Sequence, residues 1–180
     1  MKRIVLVALG VMAIASTASA QTDAELIERA LVAAPARAAD GATVIKWNAD
    51  HTYETIREGT NQLVCYDRSS DEGRPAFAVQ CTVLGNLDRV AQSRRALAEN
   101  EDGEAVLDMM EANGTRIQPV FGSVFISVNG ADAETARMHT TIAVPNATAD
   151  SLGIPDNPAS GGAWVMAAGS TDAHIMTPGL

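Results

Sequence analysis

Arg57-Glu58-Gly59-Thr60-Asn61-Gln62-Leu63-Val64-Cys65 is the stretch on which the fold turns. Before it, Thr52–Arg57 alternates in character and predicts a strand; within it, Gln62-Leu63-Val64-Cys65-Tyr66 predicts another. Gly59-Thr60-Asn61 joins the two, and both Gly59 and Asn61 tolerate positive φ, which suits a tight turn. Upstream, Thr43-Val44-Ile45-Lys46-Trp47 is rich in β-branched residues and reads as a further strand, ended by the turn Asn48-Ala49-Asp50. Residues 43–66 are therefore expected to form an antiparallel meander. The Arg57-Glu58 pair reads as an ordinary cross-strand or solvated pair, with a functional handle as the alternative.

Working downstream, Asp67 to Pro75 is a polar excursion between two cysteines, Cys65 and Cys81. Phe77-Ala78-Val79-Gln80-Cys81 is short and apolar, either a strand or the start of a helix. From about Leu84 to Asn100 the apolar positions recur at helical spacing, with Leu84, Leu87, Val90, Ala91 and Leu97 on one side. Glu104 to Ala112 makes another helix, ended by Asn113-Gly114, and Met109-Met110 within it reads as core filler. Val120–Val128 predicts a strand closed by an Asn129-Gly130 turn. Met138–Val144, Gly162–Gly169 and Ala173–Met176 complete the series of strand-like pieces.

Upstream of the opening stretch, Thr22-Asp23-Ala24-Glu25 is a capping box. It starts a helix whose stripe of Leu26, Ile27, Ala30, Leu31 and Ala34 is stopped by Pro35. Strands and helices come in runs rather than in βαβ alternation, so the fold class is α+β. We expect an antiparallel sheet of five to seven strands, with about three helices packed mainly on one side, in a single domain over residues 21–180.

Residues 1–20 read as a signal peptide. Lys2 and Arg3 precede an apolar run, Ile4–Ala15, and Ala18-Ser19-Ala20 fits the small-x-small cleavage rule. Cleavage leaves 160 of the 180 residues, and without Lys2 and Arg3 the formal charge of −9 becomes −11. An acidic chain that keeps one lysine, Lys46, lacks the counter-charge for nucleic acid or an anionic membrane. No later apolar run is long enough to span a bilayer, so the product is expected to be exported, periplasmic or extracellular, without membrane insertion. Export with an even cysteine count predicts a Cys65–Cys81 disulfide. Closing such a loop stabilises by about 3 kcal/mol in the chain-entropy model.

No nucleophile elbow, zinc-protease motif, phosphate loop, dinucleotide fingerprint or calcium loop is present. Ser123 follows Gly122 but sits inside an apolar run. The three histidines, His51, His139 and His174, are scattered. His174 has Asp172 two residues before it and Trp164 on the expected neighbouring strand, an arrangement in which a carboxylate could orient an imidazole. His174, Asp172 and His139 are thus the catalytic candidates of a hydrolase reading. Met138, His139, His174 and Met176 are a soft ligand set of the kind that holds copper(I), although Met138 and His139 point to opposite faces of a strand. No cofactor is called for.

Arg57-Glu58-Gly59-Thr60-Asn61 running to Cys65, the strand Gly41-Ala42-Thr43-Val44 and the terminal His174-Ile175-Met176 resemble a group of small exported bacterial proteins of unknown function. Their mark is R-E-G-T-N-x3-C, between a short helix ending in Ala-Pro and later helices. The resemblance implies bacterial export and a shared fold, and carries no activity. The residues favour a non-enzymatic domain that binds a small apolar molecule or a protein partner, on the strength of the apolar region around Trp164 and Met166. The hydrolase and the copper binder are the alternatives.

Overall fold

The computed structural model describes residues 21–177. The expected signal peptide over 1–20 lies outside the described residues. One sheet of eight strands organises the rest: β1 (Thr43–Trp47), β2 (Tyr53–Arg57), β3 (Leu63–Asp67), β4 (Phe77–Val83), β5 (Val124–Gly130), β6 (Arg137–Ala143), β7 (Trp164–Met166) and β8 (His174–Met176). Their spatial order is β2-β1-β3-β4-β5-β6-β8-β7. Every neighbouring pair is antiparallel except β1 and β3, which run parallel with Thr43 opposite Val64 and Val44 opposite Cys65.

That parallel pair corrects the expected meander. β2 does pair with β1, Val44 opposite Arg57 and Trp47 opposite Tyr53. The chain then steps over the start of β1 and lays β3 on its other side. The crossing segment is Glu58–Gln62, and its seating explains the sequence. The Gly41 carbonyl accepts from the amides of Thr60 (2.8 Å) and Asn61 (3.0 Å). The Asn61 side chain donates to the Ala38 carbonyl and accepts from the Leu63 amide, both at 2.9 Å. Arg57 donates to the Asp40 carbonyl. Neither Gly59 nor Asn61 has positive φ. Gly59 is needed for another reason: a Cβ there would stand 2.3 Å from the Thr43 nitrogen and 2.5 Å from the Gly41 oxygen.

The described residues form five helices, not about three. Three have nine residues or more: α1 (Asp23–Leu31), α3 (Leu87–Glu99) and α4 (Gly103–Ala112). The other two, α2 (Ala36–Ala39) and α5 (Ala149–Leu152), are single turns. The capping box of α1 forms as read, with Thr22 and Glu25 bonded reciprocally.

The helices also divide between the two faces of the sheet. On one face the α1 residue Ala30, with Ala33 just beyond the helix, packs on Val44, Cys65, Val79, Cys81, Ile126 and Val128. On the other face the α3 residues Leu87 and Val90 pack on Ile45, Val64 and Tyr66. Alternation along a strand sends Leu63 and Cys65 to the first cluster and Val64 and Tyr66 to the second. All four are buried, the pattern of a strand covered on both sides.

Cys65 and Cys81 stand directly opposite each other in the β3–β4 pair and form the expected disulfide, fully buried under α1. β5 begins later than expected. Gly122 takes φ +76° and the Ser123 amide bonds back to the Val120 carbonyl, so residues 120–123 turn instead of extending. At its other end the strand runs through Asn129-Gly130, which pair with Ala78 and Phe77 and make no turn. A third, smaller cluster of Val144, Ala147, Val165 and Ala173 holds the last two strands in place. Among the described residues no helix is long and apolar enough to cross a membrane.

Candidate functional site

The face of the sheet beneath α3 and α4 changes character along its width. At β1 and β3 it is apolar. From β4 onward it turns polar: Gln80 on β4, Ser127 on β5, His139 and Thr141 on β6. Register aligns four of these side chains in one row, Tyr66 opposite Gln80, Gln80 opposite Ser127, and Ser127 opposite His139. α3 covers the apolar part through Leu87 and Val90, and Leu97 of α3 and Glu104 and Leu107 of α4 line the space over the polar part. The space between is a cavity of about 520 Å³, within the range of small-molecule sites.

Charge sets this cavity apart. Its walls hold five arginines, Arg68, Arg74, Arg89, Arg94 and Arg116, against four carboxylates, Asp71, Glu72, Glu104 and Asp172. In a chain of net charge −9 this is a local reversal of sign. Three of the arginines are committed. Asp71, on the loop between β3 and β4, accepts from Arg68 at 3.1 Å and from Arg94 of α3. The Arg94 guanidinium also lies 5.0 Å from the Trp47 ring centre. Arg89 reaches the Ile117 carbonyl, the Thr171 hydroxyl and the Asp172 carboxylate together.

Two arginines form no ion pair among the described residues. Arg116 is buried, 7% exposed, and donates to Gln92 Oε1 at 2.8 Å and Ser93 Oγ at 2.7 Å. Both acceptors are neutral, and its Nε has no partner among the described residues. Arg74, on the loop after β3, forms no ion pair among the described residues. Burial pulls the pKa of both guanidiniums down, reinforced by Arg89 beside Arg116 and by Arg68 beside Arg74. Carboxylates oppose this at longer range, Asp172, Glu111 and Glu104 at Arg116 and Asp71 and Glu104 at Arg74, but none of them forms an ion pair with either guanidinium among the described residues.

The residues singled out from the sequence fall as follows. His139, His174 and Asp172 all line the cavity. They do not assemble into a catalytic group. His174 Nδ1 lies 2.7 Å from the backbone oxygen of Asp172, while the carboxylate of Asp172 is taken by Arg89. His174 stands opposite Met166, not Trp164, which faces Met176. His174 is also opposite Ala143, four residues along β6 from His139, so the two histidines are separated by roughly 13 Å of strand. Met138 faces away and is exposed. The four soft ligands therefore do not converge, and no cluster of three or more His, Cys, Asp or Glu that could hold a metal ion occurs among the described residues.

His51 also lines the cavity. It sits at the β1–β2 turn with φ +65°, its Nε2 3.4 Å from Glu99 and its buried Nδ1 without a partner. Among the described residues no histidine lies within hydrogen-bonding reach of a serine or threonine hydroxyl.

The arginines and Gln80 were not singled out from the sequence. One signal for them is compositional. After residue 20 the chain has ten arginines and one lysine, a bias that favours planar, multiply bonded recognition over a mobile point charge. Gln80 inside the apolar run Phe77–Cys81 is the second signal, since a buried amide in a strand needs partners on its own face. Comparison with protein-family models, curated proteins and solved structures finds no match.

Proposed function

We propose that this protein is an exported binding domain that takes up a small anion in the cavity between α3–α4 and the sheet. The observation that carries this is Arg116: a buried guanidinium lining the cavity, held by two neutral acceptors, with no carboxylate ion-pair partner among the described residues. Burying an unpaired charge is costly unless something compensates it, and Arg74, exposed at the same cavity, is a second cation with no ion pair among the described residues. A ligand carboxylate or phosphate supplies the missing charge in the bidentate geometry that arginine favours. The lining thus supports a polar, anionic ligand over an apolar one. Export rests on the signal-like segment 1–20 and fits a disulfide-bonded chain. We take the R-E-G-T-N group to share the crossing over β1.

The test is calorimetric titration of the purified, disulfide-intact protein with phosphate, succinate and citrate. Binding is expected, and Arg74→Gln is expected to weaken it by about tenfold or more, the worth of one charge-assisted hydrogen bond. Arg74 is exposed and makes no side-chain hydrogen bond among the described residues, so this variant keeps the fold. No binding at millimolar concentration, or equal affinity in the variant, refutes the proposal. A hydrolase reading draws no support from the site, because Asp172 serves Arg89 and the histidines lack a nucleophile.

A further inference from the structure

The polar row on the cavity floor constrains the ligand further, beginning with Gln80. Its Oε1 is 2.8 Å from the Tyr66 hydroxyl and 3.2 Å from Arg68 Nη1. A guanidinium can only donate, so the oxygen must be the atom on that side and the amide has one orientation. Gln80 Nε2 then donates to Ser127 Oγ at 2.8 Å. Ser127 is therefore already an acceptor, and its own proton is left to point into the open cavity. Tyr66, Gln80 and Ser127 form a chain of hydrogen bonds with a single direction, ending in a donor.

Beside that donor stand further groups with unused capacity. The Thr141 hydroxyl and both nitrogens of the His139 ring have no hydrogen-bond partner among the described residues, and both residues line the cavity. Thr141 is opposite Phe125, and Ser127 is opposite His139. The floor thus presents two hydroxyls and an imidazole on adjacent strands, all neutral donors and acceptors. The cationic groups, Arg116 and Arg74, come from the loops above the sheet. A ligand with an apolar body would cover these floor groups and leave them unpaired, at a cost for each.

The geometry points to a polyhydroxylated acid: a small ring or chain bearing several hydroxyls and one terminal carboxylate or phosphate, such as a sugar acid or a sugar phosphate. The acid would meet Arg116 and Arg74, and the hydroxyls would meet Ser127, Thr141 and His139. This inference rests on the anion-binding reading above, and names the ligand class for that same cavity.

The experiment is a titration panel on the disulfide-intact protein and on Ser127→Ala. The probes are glucuronate, galacturonate and glucose 6-phosphate, with succinate, inorganic phosphate and glucose as partial ligands. At least one sugar acid or sugar phosphate is expected to bind roughly tenfold tighter than succinate, phosphate or glucose, because it uses both sets of groups. The uronates against the phosphate ester distinguish the two acid types. Ser127→Ala is expected to remove about fivefold to tenfold of that affinity while leaving succinate and phosphate unchanged. An unchanged melting temperature for the variant shows that the loss is local. If simple anions bind as tightly as every sugar acid and Ser127→Ala changes nothing, the hydroxylated class is wrong and the anion site stands. If glucose binds as well as its 6-phosphate, or nothing binds, the anion reading itself falls.

Discussion

Gly59→Ala tests the crossing on which the fold depends. An alanine Cβ at this position would lie 2.3 Å from the Thr43 nitrogen, 2.5 Å from the Gly41 oxygen and 2.6 Å from the Ala42 carbonyl carbon. All three are backbone atoms at the start of β1, so no side chain can swing away to make room. Relief requires lifting the Glu58–Gln62 segment off β1. Overpacking of this kind costs about 1–3 kcal/mol. Lifting also stretches the two bonds from the Thr60 and Asn61 amides to the Gly41 carbonyl, each worth about 0.5–1.5 kcal/mol net. Against this, alanine stabilises by restricting the unfolded chain, by about 0.4–1 kcal/mol. The balance is a loss of about 2–4 kcal/mol. For a domain of this size that lowers Tm by roughly 5–12 °C. Urea unfolding followed by tryptophan fluorescence measures it, since Trp47 lies in β1 itself. The control is Gly162→Ala, where the added carbon meets nothing within 4 Å and φ is not left-handed. It should leave stability unchanged or raise it by up to about 1 kcal/mol. If Gly59→Ala matches Gly162→Ala within 0.5 kcal/mol, the crossing is not seated as described.

Two further outcomes follow from the buried polar groups. Asp71, 11% exposed, is the shared acceptor of Arg68 and Arg94. Asp71→Asn leaves two guanidiniums without their counter-charge and should cost about 3 kcal/mol in low-salt buffer. A bound anion at 100 times its Kd should return about 2.7 kcal/mol, and urea unfolding with and without phosphate reads both numbers. A variant within 1 kcal/mol of wild type would show that Asp71 does not organise the cavity. Burial pushes the Tyr66 phenol well above the usual tyrosine range, although Arg68 and Arg94 pull it back. The folded pKa therefore lies above the unfolded value of about 10. Its contribution to stability is complete below that pH and is lost as pH rises towards the folded value. In a Tyr53→Phe background, where Tyr66 is the remaining tyrosine, tyrosinate absorbance should appear only together with unfolding. A titration near pH 10 in the folded protein would contradict the burial.

Local features of the fold were legible because they depend on local physics. The Thr22–Glu25 capping box, the β-branched run Thr43–Trp47 and the Cys65–Cys81 pairing are fixed by neighbours in sequence or by a count of two cysteines. The order of β1 and β3 was not legible. A five-residue connection between strands fits a hairpin as well as a crossing, and what excludes the hairpin is the contact of Gly59 with Gly41–Thr43, which no pattern displays. The division of helices between the two faces leaves a trace in the sequence: Leu63–Tyr66, and Phe77–Cys81 apart from Gln80, are apolar without alternation, as strands covered on both sides must be. His139, His174 and Asp172 were picked for chemistry that the register does not assemble, yet they do line the cavity. The arginines escaped because they lie in separate segments, Arg68 and Arg74 in a loop, Arg89 and Arg94 on α3, Arg116 after α4. Only the folded chain makes them one group.

The two faces of the sheet explain how such a cavity is tolerated. Under α1 the face is sealed from β1 through β5, and the disulfide lies in that same cluster. Net stability is a small difference between large terms, so a fold can leave one face polar when the other is dry and cross-linked. On the polar face α3 is held by ion pairs at two places. Arg94 ties it to Asp71 on the loop after β3, and Arg89 ties it to Asp172 on the segment before β8. Pairs of this kind contribute little net stability when both charges must be desolvated. Their effect here is positional: they fix the height of the roof over Ser127 and Thr141. Arg89 shows why lysine does not serve. It bonds a backbone carbonyl, a threonine hydroxyl and a carboxylate from one planar group, and a single ammonium on a flexible stem cannot hold three acceptors at fixed angles. The arginine excess of the chain therefore builds the walls of the cavity, and Arg116 and Arg74, which make no such pairs among the described residues, are the ones that the proposed anion would meet.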